Sequence, residues 1–313
     1  MFWLACGLAL CMTAAAPGRA SPADDAALTA TALDNGVYAV FGSTNEASPE
    51  NQGRIGNAGF IVGADGTIVI NTGSSYRHGR ELLETAERVG GKPVVLAVIT
   101  QPLQEFIMGS AAFADRDIPI LAHEAGARLI GERCENCLRN LRRLLGEQAM
   151  LGTRVMVPAR TVSHSIELDA GGRKLRVLHF GWGSTPGDLA VYDSTSGILF
   201  AGALVSISRV PDLRDSNTSG WLFALHAIDE LSPRILVPGY GPPGTAAATA
   251  PVRHYIERVA ELARDRQRGG ASLYETLRKA QLPEFQDWAL YALLHPRNVQ
   301  KLYLQFENEE FDR

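Results

Sequence analysis

Two β-branched runs, Phe60-Ile61-Val62 and Thr67-Ile68-Val69-Ile70, flank an Asp65-Gly66 pair inside the stretch NAGFIVGADGTIVINTG. Asp-Gly adopts the tight turn that reverses one strand onto the next, so a hairpin is predicted here. A segment with helical spacing at Leu82, Leu83, Ala86 and Val89 follows and stops at Gly90-Gly91. A further apolar run, VVLAVIT, comes next and has the character of a buried strand. A hairpin that feeds a helix and then another apolar strand requires a sheet with a helix laid against one face.

The same alternation recurs along the chain. DNGVYAVFG is predicted as a first strand, STNEASPENQGRIG as a polar loop, GSAAFADR as a short helix, IPILAHE as a strand and residues 125–146 as a helix. Strands return in TVSHSIELDAGGRKLRVLHF, which turns at Ala170-Gly171-Gly172, and in DLAVYDSTSGILFAG. Helical patterns then occupy about 246–268, 272–280 and 283–306. Two halves, each of strands followed by helices, predict an α/β sandwich of two packed sheets with helices outside. The expected division is a leader over 1–20, a sandwich domain over 21–245 and a helical extension over 246–313, joined through GPPGTAAATAP.

A net charge of −4 and a pI near 6.0 remove the electrostatic basis for a nucleic-acid partner. The first residues, MFWLACGLALCMTAAAPGRA, have an apolar core shorter than a membrane span and small residues before Ser21. They read as a secretory signal cleaved near Ala20, which implies a periplasmic or secreted protein with no stable membrane anchor. Cleavage leaves Cys134 and Cys137, spaced CENC, as the cysteines of the mature chain. The stripe they share with Leu138 and Leu141 places both on the apolar side of a helix. A structural disulfide at a loop-to-helix junction is the preferred reading, with a redox dithiol as the alternative.

Four ordered landmarks resemble the metallo-β-lactamase superfamily: NAGFIVGADGTIVINTG, the strand ending VIT, STPGDLAVYDSTSGILFAGALV, and ILVPGYG. They span about residues 35–241 and imply a four-layer αββα sandwich with a zinc site at the loops of one edge. Within that superfamily, the tail HPRNVQKLYLQFENEEF and the secretory start resemble a metallohydrolase branch associated with periplasmic quinoprotein dehydrogenases. That resemblance implies a quinoprotein dehydrogenase or cytochrome partner.

The superfamily's Thr-His-x-His-x-Asp-His signature, laid from Thr100, puts its ligands on Gln101, Leu103, Glu105 and Phe106. Its histidine before Thr-Pro-Gly-Asp falls on Ser184, its bridging aspartate on Ala203 and its last histidine on Tyr240. Asn71 stands where the superfamily carries the aspartate of an Asp-Thr-Gly turn. Zinc requires three or four close N, S or O ligands, and a catalytic site adds one open position for water. Leu, Phe and Ala cannot ligate, and Glu105 alone would not hold zinc, so no metal ligand and no cofactor is expected.

The seven histidines form no HxH, HxxxH or HxxE cluster, and each reads more simply as a surface or satisfied core residue. His123 and His179 are the exceptions to watch, because both fall near strand ends beside the expected pocket. Glu105 among Leu103, Phe106 and Ala203 is a weak general-base candidate, although a hydrogen bond to loop backbone is the simpler expectation. Ser184 has no evident base. Asn217-Thr218-Ser219 is a chance sequon. The leading expectation is therefore a non-catalytic protein on an enzyme's fold, binding a small molecule or a periplasmic protein partner. The alternatives are a hydrolase of esters, thioesters or lactams, with a rebuilt metal site or a Glu105 base, and a CxxC redox or assembly factor.

Overall fold

The computed structural model describes residues 28–311, so the expected leader lies outside the described residues. The predicted hairpin is present as β3 and β4 in a first sheet that begins with β1 (Thr31–Asp34) and β2 (Val37–Val40), then runs β3 (Ala58–Val62), β4 (Thr67–Ile70), β5 (Val94–Val98), β6 (Ile120–His123) and β7 (Arg160–Val162). The pairings from β1 to β4 are antiparallel, and those from β4 to β7 are parallel. Parallel neighbours need crossovers, which α1 (Tyr76–Gly90), the short α2 (Gln104–Ile107) and α3 (Ser110–Ala114), and the long α4 (Glu124–Leu145) supply.

The second sheet has the order β12-β11-β10-β9-β8. Its strands are β8 (Ile166–Ala170), β9 (Arg173–Leu178), β10 (Ala190–Asp193), β11 (Ile198–Ser206) and β12 (Ile235–Tyr240). A helix that the sequence pattern does not announce, α5 (Thr218–Leu231), crosses between β11 and β12, which pair parallel. Its start explains the apparent sequon: the Asn217 side chain accepts from the Gly220 N–H at 2.9 Å and caps the helix.

The period of two along each strand sorts side chains into layers. Ile68 and Ile70 of β4 join Ile198 and Phe200 of β11 in the core between the sheets. The alternate residues turn outward: Val69 packs with Leu83 of α1 and Ile130 of α4, and Leu199 and Ala201 with Trp221 of α5. Because both faces of each sheet are covered, the central strands read as unbroken apolar runs. The result is the expected αββα sandwich.

The C-terminal helices α6 (Thr249–Arg268), α7 (Leu273–Lys279) and α8 (Tyr291–Phe311) do not simply trail the sandwich. Val252, Tyr255 and Ile256 of α6, with Val299 and Leu302 of α8, belong to the same buried cluster as β11 and α5. Among the described residues no helix is long and apolar enough to cross a membrane.

Asn298 of α8 joins this tail to the loop after β11. Its Oδ1 accepts from the Leu213 N–H at 3.0 Å, and its Nδ2 donates to Pro211 O at 2.8 Å and to the Tyr255 hydroxyl at 2.9 Å. Lys301 Nζ adds a bond to Ser216 O at 3.0 Å. Replacing Asn298 with Ala leaves a buried N–H and a buried carbonyl unpaired. Such groups cost about 1–3 kcal/mol each, so chemical denaturation should show Asn298→Ala losing at least about 2 kcal/mol with an unchanged m-value.

Candidate functional site

The loops at one edge of the sandwich are held by side-chain amides. Asn71 lies just past β4 with φ of 63°, a left-handed conformation that Asn tolerates better than most residues. Its Oδ1 accepts from Thr100 N–H (3.0 Å) and hydroxyl (2.8 Å), and its Nδ2 donates to Asn57 O at 3.0 Å. Asn57 Nδ2 in turn donates to Pro238 O (2.9 Å) and Gly241 O (2.8 Å) around the end of β12. An aspartate at position 71 could not donate to Asn57, so the asparagine matches the observed bonding.

Gln101 completes the set. Fully buried, it accepts from the Ala203 N–H through Oε1 at 2.8 Å and so ties the end of β5 to β11. Because the backbone N–H can only donate, this bond fixes which end of the amide is oxygen, and Nε2 is left as a buried N–H donor with no partner. The approach depends on Gly202, at φ of 55°, where a Cβ would lie 2.2 Å from Gln101 Oε1.

The other positions mapped from the sequence gather around this point. Phe106 is buried in the core with its ring 5.8 Å from that of Tyr240. The Tyr240 hydroxyl donates to Glu105 Oε1, so the partner of Glu105 is a side chain and not the expected loop backbone. Burial first, and the Glu105 charge second, push the Tyr240 hydroxyl well above its ordinary value and keep it a donor. Ser184 donates to Asp188 Oδ1 at 2.8 Å, as does Thr185 Oγ1 at 2.7 Å, so neither hydroxyl faces a histidine base.

A cleft of about 370 Å³ opens beside these residues. Leu103, Glu105, Ser184, Ala203 and Tyr240 line it, whereas Gln101 and Phe106 lie behind its wall. The remaining wall comes from residues that sequence reasoning passes over: Arg209, Arg214 and Arg297, with Asp212 and Asp215. Arg214 is paired with Asp215 at 3.2 Å. Arg209 is 8% exposed, its guanidinium carbon lies 3.8 Å from the Tyr240 ring centroid, and its Nη1 is buried without a hydrogen-bond partner. Two arginines in the short run SRVPDLRD were the available signal, but only the fold places them on this wall.

The same architecture is found in solved structures. A metallo-β-lactamase from Pontibacter korlensis matches with a TM-score of 0.61 at 20% identity, over 74% of this chain and 99% of that one. This is the metallo-β-lactamase fold. A metallo-β-lactamase from Erythrobacter litoralis gives 0.57 at 20% identity, covering 74% and 96% of the two chains. FIM-1 from Pseudomonas aeruginosa, in its mono-zinc form, gives 0.58 at 19%, covering 75% and 97%. No family model matches the chain, and no curated protein does.

Zinc does not fit the donors that this metallo-β-lactamase fold brings together. Gln101 lies behind the wall with its oxygen taken by the Ala203 N–H, Leu103, Phe106 and Ala203 have no lone pair to offer, and Glu105 and Ser184 are bonded within the protein. His123 and His179 stack on each other with ring centroids 4.0 Å apart. His123 Nδ1 accepts from the Ala125 N–H at the start of α4, and His179 Nδ1 bonds Asp188 O at 2.8 Å. Among the described residues no group of three or more His, Cys, Asp or Glu is placed to hold a metal ion.

The expected disulfide junction is not what the fold provides. Cys134 and Cys137 are free thiols in the interior of the 22-residue α4, where Cys134 is buried and Cys137 lies half-buried on the cleft wall. Helical Cβ atoms three residues apart are about 5–6 Å from each other, and a relaxed disulfide needs about 3.5–4.5 Å.

Asp188 supplies a pH test. Burial pushes its carboxyl up to about 6, against the hydrogen bonds from Thr185 and Ser184. An unfolded aspartate titrates near ~3.9, so between about pH 4 and 6 the folded chain holds a proton that the unfolded chain has lost. Stability from this group is therefore greatest at the acid end of that window and falls as pH rises to about 6, then levels off. Relative to Asp188→Asn, the wild type should lose about 3 kcal/mol of unfolding free energy across the window in denaturant titrations.

Proposed function

We propose that the chain is an exported, non-catalytic binding protein on a metallo-β-lactamase fold, and that its cleft takes a small molecule carrying a carboxylate. The observation that carries this reading is Arg209. Arg209 lines the cleft with its guanidinium held against the Tyr240 ring, and among the described residues it has no carboxylate partner, which leaves a positive charge on the wall for an anion to meet. Leu103, Leu290 and Leu294 line the same cleft and offer apolar contact to the rest of such a molecule. Around it, Glu105, Ser184 and Tyr240 are hydrogen-bonded within the protein, and Leu103, Phe106 and Ala203 have no side-chain atom that could bind a metal. The resemblance of the tail and leader supports a periplasmic setting and a quinoprotein dehydrogenase or cytochrome as the protein served.

Two measurements test the proposal together. Elemental mass spectrometry of the purified mature protein, recovered without chelator, should find zinc, iron and manganese each below about one-tenth per chain. Benzoate and succinate should raise the melting temperature where their amides do not, and Arg209→Gln should remove the shift. Ligand at a hundredfold excess over Kd stabilises by about 2.7 kcal/mol, which is a readily measured change. One or two metals per chain, or equal shifts from acids and amides, would defeat the reading.

A further inference from the structure

The cleft contains a second feature that anion binding does not use. Cys137 lies on its wall, half-buried, with Cys134 beside it and buried behind. Both thiols lie in the middle of α4, whose backbone runs unbroken from Glu124 to Leu145. Cys137 therefore lines the cavity that Arg209 and Arg214 also line, while its neighbour is buried in one cluster with Ile130 and Leu141. The difference follows from helix geometry: side chains three residues apart point about 60° from each other, so one meets the core and the other its rim.

We propose that Cys137 is a thiol-exchange site, taking low-molecular-weight disulfides that enter the cleft and holding one half of each as a mixed disulfide.

The chemistry of the pair supports the assignment. The neighbouring Cys134 thiol and then the charge of Arg214, which lines the same cleft, hold the Cys137 thiol below its ordinary value against burial, while its Sγ donates to the Arg133 carbonyl at 3.7 Å. Cys134 is shifted the opposite way by its neighbour and by burial, so it stays protonated. Thiolate, not thiol, attacks disulfides. In the step, the Cys137 thiolate attacks one sulfur of the substrate, a Cys137 sulfur–sulfur bond forms, and the substrate's own sulfur–sulfur bond breaks. Cys137 is oxidised, and the departing half is reduced to a thiolate that takes up the proton Cys137 released to water. The net change is one protein thiol and one disulfide converted to one mixed disulfide and one free thiol.

The second step of a dithiol oxidoreductase is opposed by the helix. For Cys134 to displace the bound half, the two Cβ atoms would have to close from about 5–6 Å to about 3.5–4.5 Å, which the regular turn of α4 resists. The mixed disulfide therefore persists. Cys134 is a positioning residue, and Cys137 alone becomes covalently modified.

The test treats the purified chain with 2-hydroxyethyl disulfide, which is uncharged, and with glutathione disulfide, which carries carboxylates. Intact-mass spectrometry and peptide mapping follow the products. One adduct per chain on Cys137 is expected from either reagent, absent in Cys137→Ser. Its rate at neutral pH should exceed that of free cysteine with the same reagent. The pH midpoint of the wild-type rate should lie below the ordinary thiol value of about 8.5, and Cys134→Ala should return it to that range while still forming the adduct. The uncharged reagent reacts whether or not Arg209 holds an anion. Failure of carboxylate binding would therefore slow only the glutathione reaction's advantage, in which Arg209→Gln is expected to cost about tenfold. An adduct on Cys134, an internal Cys134–Cys137 disulfide as the main product, or a rate no greater than that of free cysteine would overturn the inference. The Cys137→Ser comparison and the wild-type pH profile decide it even if Cys134→Ala fails to fold.

Discussion

The edge of this sandwich depends on buried amide side chains that each satisfy backbone groups from distant loops. Gln101 binds Ala203, Asn71 binds Thr100 and Asn57, and Asn57 binds the turn after β12. A typical buried hydrogen bond contributes about 1 kcal/mol net, yet leaving one partner unpaired costs about 1–3 kcal/mol. Exchanging Asn71 or Asn57 for an aliphatic residue orphans backbone groups on two segments, and the same change at Gln101 orphans the Ala203 N–H. Asparagine suits positions 57 and 71 because one side chain both donates and accepts there.

The cleft inherits its shape from that edge and its charge from elsewhere. Arg209 and Arg214 lie on the loop after β11, and α8 holds that loop through Asn298 and Lys301. The C-terminal helices thereby influence the ligand wall without contributing most of its lining. Tyr240 occupies the centre, donating to Glu105 on one side and meeting Arg209 across its ring face on the other. A cation, a ring and a carboxylate stand in that order, and one guanidinium nitrogen of Arg209 is left without a hydrogen-bond partner.

Much of the fold was legible because burial writes itself into the pattern. Ile68, Val69 and Ile70 are apolar in succession because β4 is covered on both faces, and Asp65-Gly66 marks where the hairpin turns. The run TSGWLFALHAIDEL was not legible as α5: its surplus of apolar residues blurs the helical stripe, as expected for a helix packed between a sheet and α6. Leu103, Glu105, Ser184, Ala203 and Tyr240 converge at the cleft, but the pairing of Glu105 with Tyr240 spans 135 residues and has no local signature. The CENC spacing suggested a disulfide junction, and the regular helix around it removed the geometry that a disulfide needs.

The sequence by itself determined the alternation of strands and helices and which side chains are available to the cleft, because strand periodicity and residue identity are local properties. Tertiary structure alone decided how those side chains pair and what the cleft offers. Hydrogen-bond partners, the burial of Arg209 and the separate exposures of Cys134 and Cys137 are set by elements far apart in the chain. Their consequences depend on distances and desolvation, which no spacing of residues encodes.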